Sequence, residues 1–228
     1  MKITIPTELK DIKLSDYLRY KKVVEDNLND EVFCAISMVS IFCHIDIADV
    51  MKLTKQDFAE IVETIAKVLD TRPNLVQRFT LKGVKYGFIP NLEKCSLGEY
   101  ADVDTLIGDD YNTHLLMSVL YRPIVRRAGD LYEIEPYTAS EERAELFKEL
   151  TLDIVFGAVV FFYNLNNELL SNSVRYLTAQ MTEQELEEVL LKNGDGITAL
   201  YALAENSELS PQMLEMNLFM NHSRYYHT

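Results

Sequence analysis

Apolar residues recur at intervals of three and four over much of the chain. The clearest run is Phe58, Ile61, Val62, Ile65, Val68 and Leu69, which share one side of a helix. Thr54 and Asp57 give that run a start like a capping box, and Thr71, Arg72 and Pro73 end it. Two helices are predicted before it: one over Asp16–Asn27 behind Ser15 as N-cap, with Asp16 in the first turn, and one over Glu31–Cys43. Ahead of these, Ile3, Thr4 and Ile5 stand in a row and Pro6 stops them, which predicts an extended arm over 1–14. The arm can lie on its own domain or on a neighbouring molecule.

The period changes at Val76. VQRFTL and VKYGFI flank Lys82-Gly83, a two-residue loop that predicts a β-hairpin. Short helices are expected over Leu97–Gly108 and Asn112–Leu120. A second hairpin pairs RPIVRR with LYEIEP around Ala128, Gly129 and Asp130. From Ser140 the pattern is helical: 141–150, an apolar helix from 152 to about 178, then 183–193 behind Thr182 with Glu185 at the capping-box position. Gly194 ends that helix, and Pro211 after Ser210 opens a last one. The expected fold is α+β and predominantly α-helical, with two short β-hairpins in the middle of the chain. Its parts are an arm over 1–14, helices and hairpins over 15–138 and a helical C-terminal subdomain over 139–228, packed as one unit.

Composition narrows the function more than the fold. The chain has 228 residues and a formal net charge of −14, which opposes sequence-independent binding to phosphate backbones. Its charge is uneven. Lys2, Lys10, Lys13, Arg19, Lys21 and Lys22 lie near the start, whereas Glu141, Glu142, Glu145, Glu149, Glu183, Glu185, Glu187 and Glu188 follow Tyr137. This asymmetry suits head-to-tail docking between copies as well as ordinary solvated helix faces. Cys34, Cys43 and Cys95 are odd in number and without framework spacing, and no secretory leader is read at the start, so free thiols in a reducing compartment are expected. The most apolar stretch, Ile154–Phe162, is far short of the ~20 residues of a membrane-spanning helix and is expected to be buried.

No stretch carries a catalytic signature. The glycines are dispersed without a phosphate-loop Lys-Ser or Lys-Thr, and His44, His114, His222 and His227 lack zinc spacing. Cys43 and His44 are adjacent and point about 100 degrees apart on a helix, a poor chelate. Asp102, Asp104, Asp109 and Asp110 could hold a divalent cation by charge, but they do not match an EF-hand loop; helix-end or partner-binding roles are the other reading. No enzyme activity, cofactor or metal is therefore expected.

Contact surfaces are the better candidates. Arg122, Arg126 and Arg127 cluster on the second hairpin of an acidic chain, where they could meet carboxylates of another copy or simply be solvated. Arg224, Tyr225 and Tyr226 near the end, and Ile3 and Ile5 of the arm, complete the predicted protein interface.

Several blocks resemble a family of small structural or assembly proteins of tailed bacteriophages, especially crAss-like phages. They are KGVKYGFIPNL (82–92), GEYADVD (98–104), LYRPI (120–124), YEIEPY (132–137) and FFYNLNNE (161–168), together with MKITIP and LSDYLRY (14–20). The resemblance covers roughly residues 1–170. It implies a virion component, a ring protein of the portal–neck–tail region, made in the host cytoplasm and contacting other copies of itself, the portal and neighbouring neck or tail proteins. Some long-tailed relatives look instead like tail assembly chaperones. Neither implies a membrane, sequence-specific nucleic-acid binding or catalytic residues.

Overall fold

The computed structural model describes residues 3–92, 95–107, 109, 111–162 and 164–165. The chain divides into two compact units, Met1–Val160 and Phe161–Thr228. Of the second, only Phe161, Phe162, Asn164 and Leu165 are among the described residues. The helices expected over 183–193 and after Pro211 lie outside them. The division falls later than the expected boundary at 139, because the helix over 141–147 packs into the core of the first unit.

The fold is α+β and predominantly helical. A 3-10 turn at Leu9–Asp11 precedes α1 (Leu14–Asp26), α2 (Glu31–Phe42), α3 (Ile47–Val50) and α4 (Lys55–Leu69). Next come β1 (Arg78–Leu81), β2 (Val84–Phe88), α5 (Leu97–Leu106), α6 (Thr113–Leu120), β3 (Tyr121–Ala128), β4 (Leu131–Ile134) and α7 (Glu141–Phe147). Finally, α8 runs through 152–162.

Local chemistry explains most boundaries. Thr54 accepts the Asp57 backbone N–H at 3.1 Å to start α4. Asp30 does the same for α2 through Phe33 N–H at 2.9 Å. α2 ends in a Schellman motif: His44 takes φ 53, its N–H donates to Ile41, and Ile45 N–H reaches back to Ser40 O at 3.1 Å. The expected Ser15 cap is not used. α1 begins two residues earlier, at Leu14, without a side-chain cap, and Ser15 N–H donates to Lys148 O at 2.9 Å.

That last bond belongs to a zipper between distant parts of the chain. Leu14 N–H donates to Leu150 O at 2.8 Å, and Leu152 N–H to Ile12 O at 2.9 Å. Leu9, Ile12 and Leu14 are buried. The second half of the expected arm is therefore built into its own unit, and only residues 3–8 run extended ahead of the 3-10 turn.

Both hairpins form, and they join into one antiparallel sheet of order β1-β2-β3-β4. In the first turn Lys82 has φ 47 and Gly83 φ 83, the two positive values a type I′ turn requires. In the second, Gly129 has φ 64. One face of the sheet buries an aromatic cluster. Phe79 stacks on Tyr86 with ring centroids 5.4 Å apart, Phe147 of α7 meets Tyr86 edge-on at 5.0 Å, and Tyr121 lies 5.0 Å from Phe79. Tyr121 donates its hydroxyl to Val76 O at 2.7 Å, so its burial leaves no unmet polar group. On the opposite face Tyr132 lies across Gly87, where a Cβ would fall 2.4 Å from the ring. Its hydroxyl donates to Phe88 O at 2.7 Å.

α8 is buried along one side and half-buried along the other, where burial on nearly all faces was expected. Leu152, Val155 and Ala158 are inaccessible, but Phe156 and Val159 are half-exposed. Phe156 packs edge-on against Tyr17 of α1, with centroids 5.3 Å apart. The buried face comes so close to the chain after α4 that a Cβ on Gly157 would lie 2.5 Å from Asn74 O. Gly157→Ala is expected to destabilise the unit by about 1–3 kcal/mol, since a backbone carbonyl cannot swing aside as a side chain can. Chemical denaturation would read this as a lower midpoint, and an unchanged midpoint would mean that the contact is loose.

Candidate interaction surface

The residues expected to form an interface separate into four groups. Arg126 and Arg127 are exposed on β3. Arg122 is not: it is 5% exposed, and its guanidinium pairs with Glu99 Oε1 at 2.5 Å within the chain. This corrects its expected place among the surface arginines. Strand geometry accounts for the difference, because Arg122 pairs with Gly87 of β2 in the middle of the sheet, while Arg126 and Arg127 lie past the end of β2 and pair only with β4. Ile3 and Ile5 are half-buried on the extended segment. Arg224, Tyr225 and Tyr226 lie outside the described residues.

The Glu99–Arg122 pair is built from local and long-range parts. Ser96 and Glu99 form a reciprocal capping box at the start of α5: Ser96 N–H donates to Glu99 Oε2 at 2.7 Å, and Glu99 N–H donates to Ser96 Oγ at 3.2 Å. Glu99 Oε1 is left for Arg122, whose guanidinium also lies over the Tyr137 ring, 5.7 Å from its centroid. Burial by itself would raise the Glu99 pKa, but the Ser96 hydrogen bonds and the arginine together outweigh it and hold the carboxyl below its ordinary value. The Tyr137 hydroxyl is pushed up to about 12, by burial first and then by its hydrogen bond to Asp102.

That bond also bears on the aspartate cluster. Asp102 is engaged by Tyr137, and Asp109 caps the turn ahead of α6 by accepting the Tyr111 and Asn112 N–H groups at 3.1 Å. Asp104 Oδ1 is buried without a hydrogen-bond partner among the described residues, and Asp110 is outside them. Among the described residues no three His, Cys, Asp or Glu side chains converge as a metal site. His44 is exposed, whereas Cys43 is buried and its thiol is pushed up to about 11 by that burial. An open cleft of about 410 Å³ is lined by Ile3, Lys52, Leu53, Thr54 and Asp57. Its one carboxylate already accepts from the Thr54 hydroxyl at 2.7 Å.

The end of the second hairpin is exposed, although Arg78 of β1 reaches its tip. The register shifts between Ile124 and Arg126, a bulge that re-aims the strand as it leaves β2. At the bulge Val125 is 59% exposed, and beyond the turn Leu131 is 79% exposed. Arg127 Nε donates to Gly129 O at 2.8 Å, which holds its guanidinium at the hairpin tip. Arg126 stands 4.0 Å from Glu133 on the neighbouring strand, and Arg78 reaches Asp130 at 3.2 Å. Among the described residues β4 pairs with β3 alone.

A second exposed apolar group, absent from the expected interface, lies at the corner between α1 and α2. Leu28 is 72% exposed and Val32 68%, with Phe33 beside them at 36%. Helical periodicity had placed the α2 residues on a helix without marking which side the core would leave bare. The corner is also acidic: residues 23–33 contain Glu25, Asp26, Asp30 and Glu31 and no Lys or Arg.

The class these features define is a mainly helical α+β unit with one four-stranded antiparallel sheet. The chain matches no protein-family model, no curated protein and no solved structure. Among the described residues no helix is long and apolar enough to cross a membrane.

Proposed function

We propose that the protein works by protein–protein contact as a structural component of a tailed-phage virion, a ring protein of the portal–neck–tail region. The observation that supports contact as its mode of action is the β3–β4 hairpin. Past its pairing with β2 it exposes Val125, Arg126 and Leu131, with Arg127 exposed on the other side of the strand. Apolar side chains beside arginines make a surface that gains from being covered by a partner. The phage assignment rests on the resemblance of the 82–92, 98–104, 120–124 and 132–137 blocks. In that reading the partners are other copies of the chain, the portal and adjacent neck or tail proteins.

Quantitative mass spectrometry of purified particles tests the proposal. A ring protein should be present at a fixed copy number comparable to that of the portal. Presence in infected cells with absence from finished particles would replace it with the tail assembly chaperone reading.

A further inference from the structure

We infer that α5 is an acid-sensitive latch, an element that comes off the unit without general unfolding and whose catch is the Glu99–Arg122 pair. This goes beyond the contact reading above and stands or falls without it. The helix is inverted. Leu97 and Tyr100 are 84% and 57% exposed, whereas among the described residues of α5 Glu99 alone is buried. A helix fixed to a core by apolar packing turns its apolar stripe inward. Here a carboxylate takes that place. Val103 and Leu106 are only half-buried, and the first buried apolar residue comes after the helix, at Ile107. The start of α5 is therefore held by polar contacts, and its far end by an apolar anchor on which it can pivot.

Two bonds make up the hold at the start. Arg122 of β3 takes Glu99 Oε1 at 2.5 Å, and the Tyr137 hydroxyl, from the segment after β4, donates to Asp102 about one turn further along α5. An apolar contact keeps its strength at any pH, but a buried ion pair does not. Desolvation offsets most of the attraction even in the closed state. Once Glu99 takes a proton, Arg122 is left buried with an uncompensated charge, and its Nε already lacks a hydrogen-bond partner among the described residues. Opening returns that charge to water. Released, a helix of 10 residues is too short to persist by itself, so opening also breaks its backbone hydrogen bonds.

The direction of the response follows from the groups around Glu99. Burial pushes its carboxyl up, but Ser96 and Arg122 together hold it below its ordinary value. The hold is therefore complete above the ordinary carboxylate value, which the open state regains, and is lost as pH falls through the lower value of the closed state. Cys95 and Tyr137 also face Glu99, and burial pushes the thiol and the hydroxyl up, so both stay neutral in acid. Arg143 of α7 stands behind Arg122 and Tyr137 and faces Glu135 in turn. α6 packs along α5 and carries His114, which lies 3.7 Å from Glu145 of α7. Of the other α5 carboxylates, Asp102 is bound by Tyr137, and Asp104 Oδ1 has no hydrogen-bond partner among the described residues. Glu99 is the α5 carboxylate that meets a cation, so acid acts on the latch through it.

Hydrogen exchange of the full chain, read peptide by peptide by mass spectrometry, tests this. At neutral pH the peptide over 97–107 should be less protected than those over α6 and β2, and low urea should change its exchange little, the mark of a local opening. As pH falls below the ordinary carboxylate value, its opening should increase by up to roughly tenfold per pH unit while circular dichroism still reports the native fold. Glu99→Gln should open more at neutral pH and show no such acid dependence. Protection of 97–107 equal to that of α6 with the same urea dependence would overturn the inference, as would an acid dependence that survives in Glu99→Gln. So would a wild-type peptide that stays closed until the whole chain unfolds in acid. If Glu99→Gln does not fold, the wild-type pH series decides alone.

Discussion

Glu99→Ala is expected to lower folding stability by about 3–5 kcal/mol, the range for removing one member of a buried ion pair. The loss comes mainly from what is left behind. Arg122 is 5% exposed, and its Nε already lacks a hydrogen-bond partner among the described residues, so without Glu99 its charge has little access to water. The substitution also removes half of the capping box that starts α5. Replacing both partners with apolar residues, Glu99→Leu with Arg122→Met, should restore much of the stability, because desolvation of two charges offsets most of their attraction. The pH dependence reads the charge of Glu99 in the pair and the cap together. The Glu99 pKa is lower folded than its ordinary value, so its contribution is present above the unfolded pKa and is lost as pH falls through the folded one. The wild-type chain should therefore lose stability on acidification through the carboxylate range, and Glu99→Gln should lack that component. Urea midpoints across pH measure both effects. A Glu99→Ala variant as stable as the wild type would mean that Arg122 finds water or another partner.

Phe147→Ala should cost a similar amount, about 3–5 kcal/mol, by a different route. Phe147 is fully buried, and its ring meets Tyr86 at 5.0 Å and Phe79 at 5.9 Å, both edge-on. It is the side chain by which α7 fills the aromatic face of the sheet, so truncation leaves a cavity bordered by strands that cannot collapse without breaking their ladder. The lost ring contacts add to the transfer term. The denaturation midpoint should fall with little change in its slope, because the surface exposed on unfolding is nearly the same. Phe147→Leu, which keeps most of the volume, should recover more than half of the loss.

These two sites show how differently parts of the molecule could be read from the chain. Hairpin turns and helix starts depend on neighbours in sequence. Lys82-Gly83 takes the positive φ values its strands demand, and Thr54 caps the helix that follows it. Such features were visible as patterns of a few residues, and so was the α+β class. Ser15 misled for the reverse reason: the zipper of Ile12 and Leu14 with Leu150 and Leu152 recruits the backbone before α1, and that pairing spans more than a hundred residues.

The candidate surface divides in the same way. That the second hairpin carries arginines could be read directly, but which of them reach solvent could not. Residues 122, 126 and 127 differ in exposure because the pairing of β3 with β2 stops at Pro123. The bare corner at Leu28, Val32 and Phe33 was invisible because an apolar side chain contributes the same to a hydrophobic pattern whether or not the core covers it. By itself the sequence determined elements, turns, caps and the sign of the charge, all of which follow from short-range sterics and composition. Only the tertiary structure decided the union of the hairpins into one sheet, the burial of Arg122 against Glu99 and the faces left open, because each is set by contacts between residues far apart in the chain.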